Sequence, residues 1–421
     1  MLYQLSPFIA CLLCFFMVYR LALFNLQEFS RLFILLLFLC KAFAGLVVAH
    51  FSADILSGTD GNFYFQSGKV LQEYGLQHPY NYFRLLSGIH GTELSSEYFS
   101  LLNWKNLPAF NDGETMLKLN SLLHFISFNN YYTHTIYFTF FSFCGLTGIY
   151  KVIAKISQTQ AKTLFAVLIL FPSLLIFTSG NLKETVLMGT FGLFVYHLYF
   201  IQFSKKHIVY AIVFAFSLFL IKQHFILLFI PVLFSFLLCN LIVKQKRLHL
   251  LVYLAVFSLY FISASFILNL RNSQPIPYSI ALTQQSAMKN AIFIKAGSYT
   301  RPPIIASSYI SLIKNIPSAF YHALKYPCFG MNKAINVNLA GLENFLVKAL
   351  VIITLLACLK KGNRFHQYHL AIIVFTFLFY SLIGFTQALE AIILRFKAPV
   401  LPLLISGVYL LLIQFRKQKA L

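Results

Sequence analysis

The sequence predicts an all-α polytopic membrane protein with about eleven transmembrane helices and two long extracytosolic loops that are partly helical. Three observations predict it. Of 421 residues, 59% are hydrophobic and only 10% are charged, with a mean hydropathy of +0.75, which excludes a water-soluble globule. Apolar runs of about 20 residues, the length a hydrocarbon core ~30 Å thick demands, recur along the chain between charges, Pro and Gly. The third observation is where the charge lies. Thirty-three Lys and Arg against 11 Asp and Glu give a formal net charge of +22, which would ordinarily point to nucleic acid. The bases fall instead into short connections between apolar runs, as they do in membrane proteins, so nucleic acid is not an expected partner and the lipid bilayer is.

In order, the predicted spans are 4–24, 32–51, 133–153, 162–179, 184–203, 207–221, 224–243, 248–270, 343–359, 368–386 and 399–415. The first is not a signal peptide by pattern, because Met1-Leu-Tyr-Gln-Leu has no basic n-region and Arg20 interrupts its far end. The sixth and seventh run together through Ile221-Lys222-Gln223-His224. With the N-terminus outside, the cytoplasmic connections hold Arg31; Lys151, Lys155 and Lys162; Lys205 and Lys206; Lys244, Lys246 and Arg247; Lys360, Lys361 and Arg364; and the tail Arg416, Lys417 and Lys419. Every inside connection then carries at least one base, and the opposite orientation would violate the positive-inside bias.

The chain divides accordingly into two N-terminal spans (1–51), an acidic outer loop (52–132), a central bundle (133–270), a basic outer loop (271–342), and C-terminal spans with a basic tail (343–421). The first long loop holds Asp54, Asp60, Glu73, Glu93, Glu97, Asp112 and Glu114, while Glu184, Glu343 and Glu390 lie near outer helix ends and Glu28 lies inside. The second holds Arg271, Lys289, Lys295, Arg301, Lys314, Lys325 and Lys333, with no acid before Glu343. The two loops either dock on each other or form a cleft for an anionic substrate. Cys11, Cys14, Cys40, Cys144, Cys239 and Cys358 fall inside predicted helices and Cys328 in an outer loop, a spacing that builds neither a disulfide framework nor a metal motif. No persuasive small-x-x-x-small repeat and no matched pair of broken helices of the transporter kind is present.

A charge in a membrane span costs on the order of 2.5–3.5 kcal/mol on insertion scales, so each one asks for a reason. Three outer turns carry cations against the positive-inside bias: Lys183 with Glu184, Lys222 with His224, and Arg395-Phe-Lys397-Ala-Pro399. Gathered at the membrane surface, they suit a lipid-linked phosphate or diphosphate, with Arg as a bidentate fork and Lys as a point charge. Pairing of Lys183 with Glu184, or snorkelling of each cation to the interface, is the plainer alternative. Backbone N–H groups of Ser179-Gly180-Asn181, where the fifth span begins, could add to anion binding. Asp60, in Ser57-Gly-Thr-Asp60-Gly-Asn-Phe-Tyr64, is placed at the membrane edge either as a general base for an acceptor hydroxyl or as the start signal of a helix, and the two are compatible. Asp112 and Glu114 either hold a divalent cation or belong to a turn. Lys41 lies deep in the second span and is expected to face the bundle interior, whereas Arg20 snorkels.

These turns resemble the membrane-embedded C-type glycosyltransferase superfamily, enzymes that take a sugar from a polyprenyl-phosphate carrier at the outer face of the membrane. The residues that carry the resemblance are Asp60; the turn Pro172, Ser173, Ser179, Gly180, Lys183 and Glu184; and Arg395, Lys397 and Pro399. The chain is also similar to bacterial envelope proteins with a Lys-x-x-x-Gly in the second span (Lys41, Gly45) and an outer Glu-Asn (Glu343, Asn344). It differs from the superfamily pattern in an extra span before the acidic loop and in the lack of a tight Asp-x-Asp pair. The resemblance implies that Asp60 is the catalytic base and that Lys183, Arg395 and Lys397 stabilise the carrier phosphate. It also implies a bacterial inner membrane, a glycan or glycolipid acceptor, and a role in envelope polysaccharide assembly. An O-antigen-type polymerase and a non-enzymatic lipid or polysaccharide transporter are the alternatives.

Overall fold

The computed structural model describes residues 2–27, 29–54, 60–88, 112–159, 161–243, 245, 248–270, 273–330, 335–360 and 366–419. Several residues assigned above lie outside them: Glu28, Glu93, Glu97, Lys244, Lys246, Arg247, Arg271, Lys333, Lys361 and Arg364, with the side chains of Asp54, Asp112, Cys358, Lys360, Arg416, Lys417 and Lys419. Among the described residues the secondary structure is helical, apart from one antiparallel bridge between Tyr299 and Leu389. A helix satisfies its backbone within one segment, as a span in hydrocarbon must.

The chain forms two compact units, Met1–Gln223 and His224–Leu421. The first contains α1 (Leu2–Arg20), α2 (Arg31–Asp54), α3 (Asp60–Gln77), α4 (Pro79–Ser87), α5 (Asp112–Ser127), α6 (Tyr131–Ser157), α7 (Lys162–Leu170), α8 (Pro172–Phe177), α9 (Lys183–Phe200) and α10 (Lys206–Ile221). Helix α6 is its axis. Asn130 caps it, accepting the Tyr132 and Thr133 N–H groups at 2.9 and 3.2 Å. Its apolar window is 83% buried although the helix carries Thr133, His134, Thr135, Thr139, Ser142 and Thr147, because neighbouring helices enclose it. It packs closely on α9 because glycines face each other: a Cβ on Gly145 would come within 2.7 Å of the Gly189 Cα. The small residues recur at a spacing of three (Gly145 and Gly148, Gly189 and Gly192), so a search for the four-residue small-x-x-x-small spacing does not find them. The described part of the first long loop is largely helical, and α3, α4 and α5 close a core of Leu71, Tyr74, Tyr82, Leu85 and Leu117.

The second unit contains α11 (Gln223–Leu241), α12 (His249–Leu270), α13 (Ile276–Phe293), α14 (Tyr309–Lys325), α15 (Ile335–Lys360), α16 (Gln367–Thr386), α17 (Glu390–Lys397) and α18 (Leu401–Lys419). Phe225 of α11 packs edge-on against Phe375 and Phe379 of α16. Ala281, Ile305, Ala319 and Phe385 join α13 and α14 to the end of α16. Gln284 fixes that junction by donating to Pro303 O at 2.9 Å and Phe385 O at 2.8 Å.

Among the described residues six helices are long and apolar enough to cross a membrane, namely α1, α2, α6, α11, α12 and α16; α17 with α18, bent by 58°, make a seventh if counted as one. The remaining predicted spans differ for physical reasons. Span 162–179 breaks into α7 and α8 because Phe171, before Pro172, leaves the helical region at φ −59°, ψ 127°. Helix α10 is apolar but short. Helix α9 opens on Lys183 and Glu184, and α15 carries Glu343 and Lys348, charges that lower their hydropathy. The run through residues 221–224 divides at Lys222, whose φ −157° and ψ 84° end α10.

Candidate functional site

In the first unit the turn between α8 and α9 is where the sequence-predicted residues meet. Gly180 sits at φ +100°, a conformation that costs a side-chain-bearing residue dearly. Its N–H donates to Thr139 Oγ1 of α6 at 3.0 Å, so this N–H is already used and does not serve an anion as expected. From α2, Gly45 allows the close approach, because a Cβ there would meet Thr139 Oγ1 at 2.7 Å. Lys41, one helical turn earlier on the same face, is 0% exposed. Its ammonium donates to Thr178 Oγ1 at 2.8 Å, Ser179 Oγ at 3.1 Å and Leu174 O at 3.3 Å. All three of its N–H groups are spent on the turn. Lys41 therefore faces the bundle interior, as the sequence predicts, and acts as a clamp on residues 174–179.

Asn181 carries the turn across to α3. Its Nδ2 donates to Gly61 O at 3.1 Å, and Gly61 follows the exposed Asp60 that opens α3. Tyr64, one turn further along the face that carries Asp60, is buried and lies beneath Lys183, whose Nζ is 5.3 Å from the ring centroid. Asp60, Tyr64, Ser179, Gly180 and Lys183 thus share one corner of the first unit. A carboxylate in the first turn of α3 also gains from the helix dipole.

Lys222 reaches the same end of α9. Its Nζ lies 3.9 Å from Glu184 Oε1, with Lys222 3% and Glu184 1% exposed. Glu184 therefore pairs with the lysine of the next turn rather than standing only beside Lys183. At such burial the attraction is weakly screened, and removing either partner leaves a charge in a dry environment. Thr115 of α5 ties this turn down by donating to Leu220 O at 2.9 Å.

Beneath the corner runs a polar network that the sequence reading did not anticipate. Asn120 and Asn181 form a reciprocal amide pair, at 3.1 Å and 2.8 Å. Asn120 Nδ2 also donates to Met116 O at 2.8 Å. Its Oδ1 receives the His134 Nδ1–H at 2.9 Å, which leaves His134 Nε2 to accept from Ser127 Oγ at 2.7 Å. His124 joins from the side, with one ring nitrogen 2.9 Å from Phe65 O and the other 2.9 Å from Asn129 Oδ1. Burial holds His124 below the usual imidazole range despite those hydrogen bonds. The available signal was the recurrence of Asn and His four apart, at 120 and 124 within α5 and again at the cap 130 and 134 of α6.

The other predicted cations belong to the second unit. His224 is exposed, stacks on Phe379 at 6.4 Å, and lines a cavity of about 320 Å³ with Phe396, the residue between Arg395 and Lys397. Arg395 is half-buried. Lys397 is 2% exposed and donates to Tyr326 O at 2.6 Å and Asn344 Oδ1 at 3.3 Å. Asn344 Nδ2 in turn donates to Leu324 O and Pro327 O, each at 3.0 Å, and Glu343 lines a cavity with Asn344 and Lys397. The Glu343-Asn344 pair and the Arg395-Phe-Lys397 turn, distant in sequence, are thereby brought together. Glu114, the described member of the proposed cation pair, is buried and bound to Lys118 at 2.7 Å within α5. Among the described residues no three His, Cys, Asp or Glu side chains cluster as metal ligands would.

An all-helical chain with several membrane-length apolar helices, two compact units and buried charges at the helix turns defines a polytopic membrane protein. Comparison with protein-family models, curated proteins and solved structures returns no match, so this class rests on the chain's own physical chemistry.

Proposed function

We propose that the protein is an integral-membrane glycosyltransferase that takes a sugar from a polyprenyl-phosphate carrier at the outer face of a bacterial inner membrane, in envelope polysaccharide or glycolipid assembly. In this reading the eleven predicted spans cross with the N-terminus outside and the C-terminus cytoplasmic, shorter or broken helices included. The observation that carries it is the corner of the first unit. A carboxylate at the start of α3 lies one helical turn from Tyr64, whose ring carries the Lys183 ammonium, and Asn181 and the Lys41-clamped turn hold the two elements together.

Asp60 takes the proton of the acceptor hydroxyl, whose oxygen attacks the sugar C1. The bond from C1 to the carrier phosphate oxygen breaks, and the phosphomonoester leaves with its electron pair. Lys183 meets the charge that develops on that oxygen, while Lys222, bound to Glu184, fixes the turn behind it. General-base catalysis of this kind contributes about 10²–10⁴-fold, and a cation aimed at a leaving oxygen acts most strongly in a dry site. In the second unit, Arg395 and Lys397 are the further cations proposed for a lipid-linked phosphate.

Sugar transfer from a synthetic polyprenyl-phosphate donor, measured in membranes, tests the reading. Asp60→Asn should lower it at least 100-fold, and Lys183→Ala about tenfold or more. If Asp60→Ala retains full activity while Lys183→Ala or Arg395→Ala abolishes it, the base mechanism is wrong and a diphosphate-dependent polymerase takes its place. A transporter would show transbilayer movement of lipid-linked glycan with no new glycosidic bond.

A further inference from the structure

We infer that the second unit contains a binding site for a lipid phosphate, with the apolar chain held among α15, α16 and α18 and the anionic head held by Lys348 and Lys397. The observation is a cavity of about 490 Å³ whose lining changes character along its length. On α15, Glu343, Asn344 and Lys348 line one end; Val351 and Ile352, one to two turns further on, line the other. The same gradient runs down α16, from Tyr380, which lies 5.5 Å from Lys397 Nζ, to Val374 and Ile373. Eight residues of helix cover about 12 Å, so a charged mouth leads within one cavity to a wall of branched aliphatics. An ordinary core has no such polarity, and a site for a wholly polar ligand would not end in aliphatics.

The mouth is short of negative charge. Lys397 is almost fully buried, yet its hydrogen bonds go to neutral acceptors, Tyr326 O and Asn344 Oδ1. Among the described residues no carboxylate forms an ion pair with it or with Lys348. Two acids are near: Glu343 lines the same mouth, and the Glu390 carboxylate accepts the Cys328 N–H. Against them stand three lysines, because a second cavity of about 490 Å³ shares Leu324 and Lys348 with the first and adds Lys325, together with Tyr321, Phe329 and Phe345. Lys348 therefore stands between an apolar chain site and a cationic, aromatic pocket. A buried ammonium without an anionic partner is costly, and a bound phosphate offsets that cost while its chain fills the apolar end.

This goes beyond the proposed function and rests on it only for which lipid phosphate is used. Binding is read without sugar transfer, so the two stand or fall separately. The test uses the full-length protein in phosphatidylcholine nanodiscs and a long-chain alkyl phosphate bearing a diazirine near its tail, with cross-linked peptides mapped by mass spectrometry. Label is expected in 347–352 and 373–380, displaced by unlabelled alkyl phosphate and not by the matching alcohol. Lys348→Ala should weaken labelling at least tenfold, with rescue by Lys348→Arg; Val351→Trp should block it with every charge in place. Lys348 and Val351 keep the test open should Lys397→Met fail to fold. The inference is overturned if label spreads equally onto α12, whose span is only 6% buried and lies open to lipid, or if the alcohol competes as well as the phosphate.

Discussion

His322, on α14 outside the apolar spans, shows how much one side chain can report about its surroundings. It is 6% exposed, and neither ring nitrogen has a hydrogen-bond partner among the described residues. Burial, with Lys397 and Lys325 adding to it, lowers its pKa to about 4. The folded protein thus keeps it neutral, whereas the unfolded chain protonates it near pH 6.5. Stability from this group is present above pH 6.5 and is lost as pH falls toward about 4, by at most about 3 kcal/mol. His124 shifts in the same direction. Thermal unfolding in detergent should therefore show the melting temperature falling between pH 6.5 and 4, and His322→Phe should flatten part of that slope. An unchanged slope in the variant would place the acid sensitivity elsewhere. Asp60, Lys183 and Lys397 stood out in the sequence because charge near a membrane demands a reason. His322 and Asn120 did not, because polar residues in predicted loops are ordinary until their burial is known, and nor did Lys348, although it lies inside the predicted span 343–359.

The turn between α8 and α9 is the element on which the first unit's corner depends. Gly180 holds a positive φ, so Gly180→Ala should cost about 1–2 kcal/mol from backbone strain. Lys41→Met removes three hydrogen bonds from a buried turn and should cost about 2–4 kcal/mol. Because both act on one turn, the double variant should lose less than the sum. Chemical denaturation of the purified single and double variants measures all three values, and a fully stable Lys41→Met protein would remove the clamp. At this scale the sequence was legible where solvent alone dictates structure. Charge-bounded apolar runs gave α1, α2, α6, α11, α12 and α16 to within about four residues at each end. It was less legible where one backbone event intervenes, as when Pro172 breaks an apolar run, whereas the division at Lys222 falls between the two spans predicted there. The α6–α9 contact was hidden because glycines three apart gain meaning only once two helices are known to cross there.

Across the whole molecule, the alternation of basic short connections with acidic and basic long segments is the strongest organising signal. It predicts that an impermeant maleimide labels Tyr80→Cys, exposed on α4, from the outside of intact cells, in a background lacking the native cysteines. Lys206→Cys should react only after the membrane is opened. The reverse pattern would invert the proposed orientation and remove the corner from the outer face. The class of the protein, its helical spans and the unusual cations at three turns were determined by the sequence alone, because transfer of apolar and charged groups between water and lipid is decided residue by residue. Which of those cations is spent was decided only by tertiary structure. Lys41 is consumed by a turn 133 or more residues away, Lys222 is matched by Glu184, and Lys397 is held by neutral acceptors at the mouth of an apolar cavity. The physical reason is that a charge's role depends on its partners, and partners separated by a hundred residues are brought together only by packing.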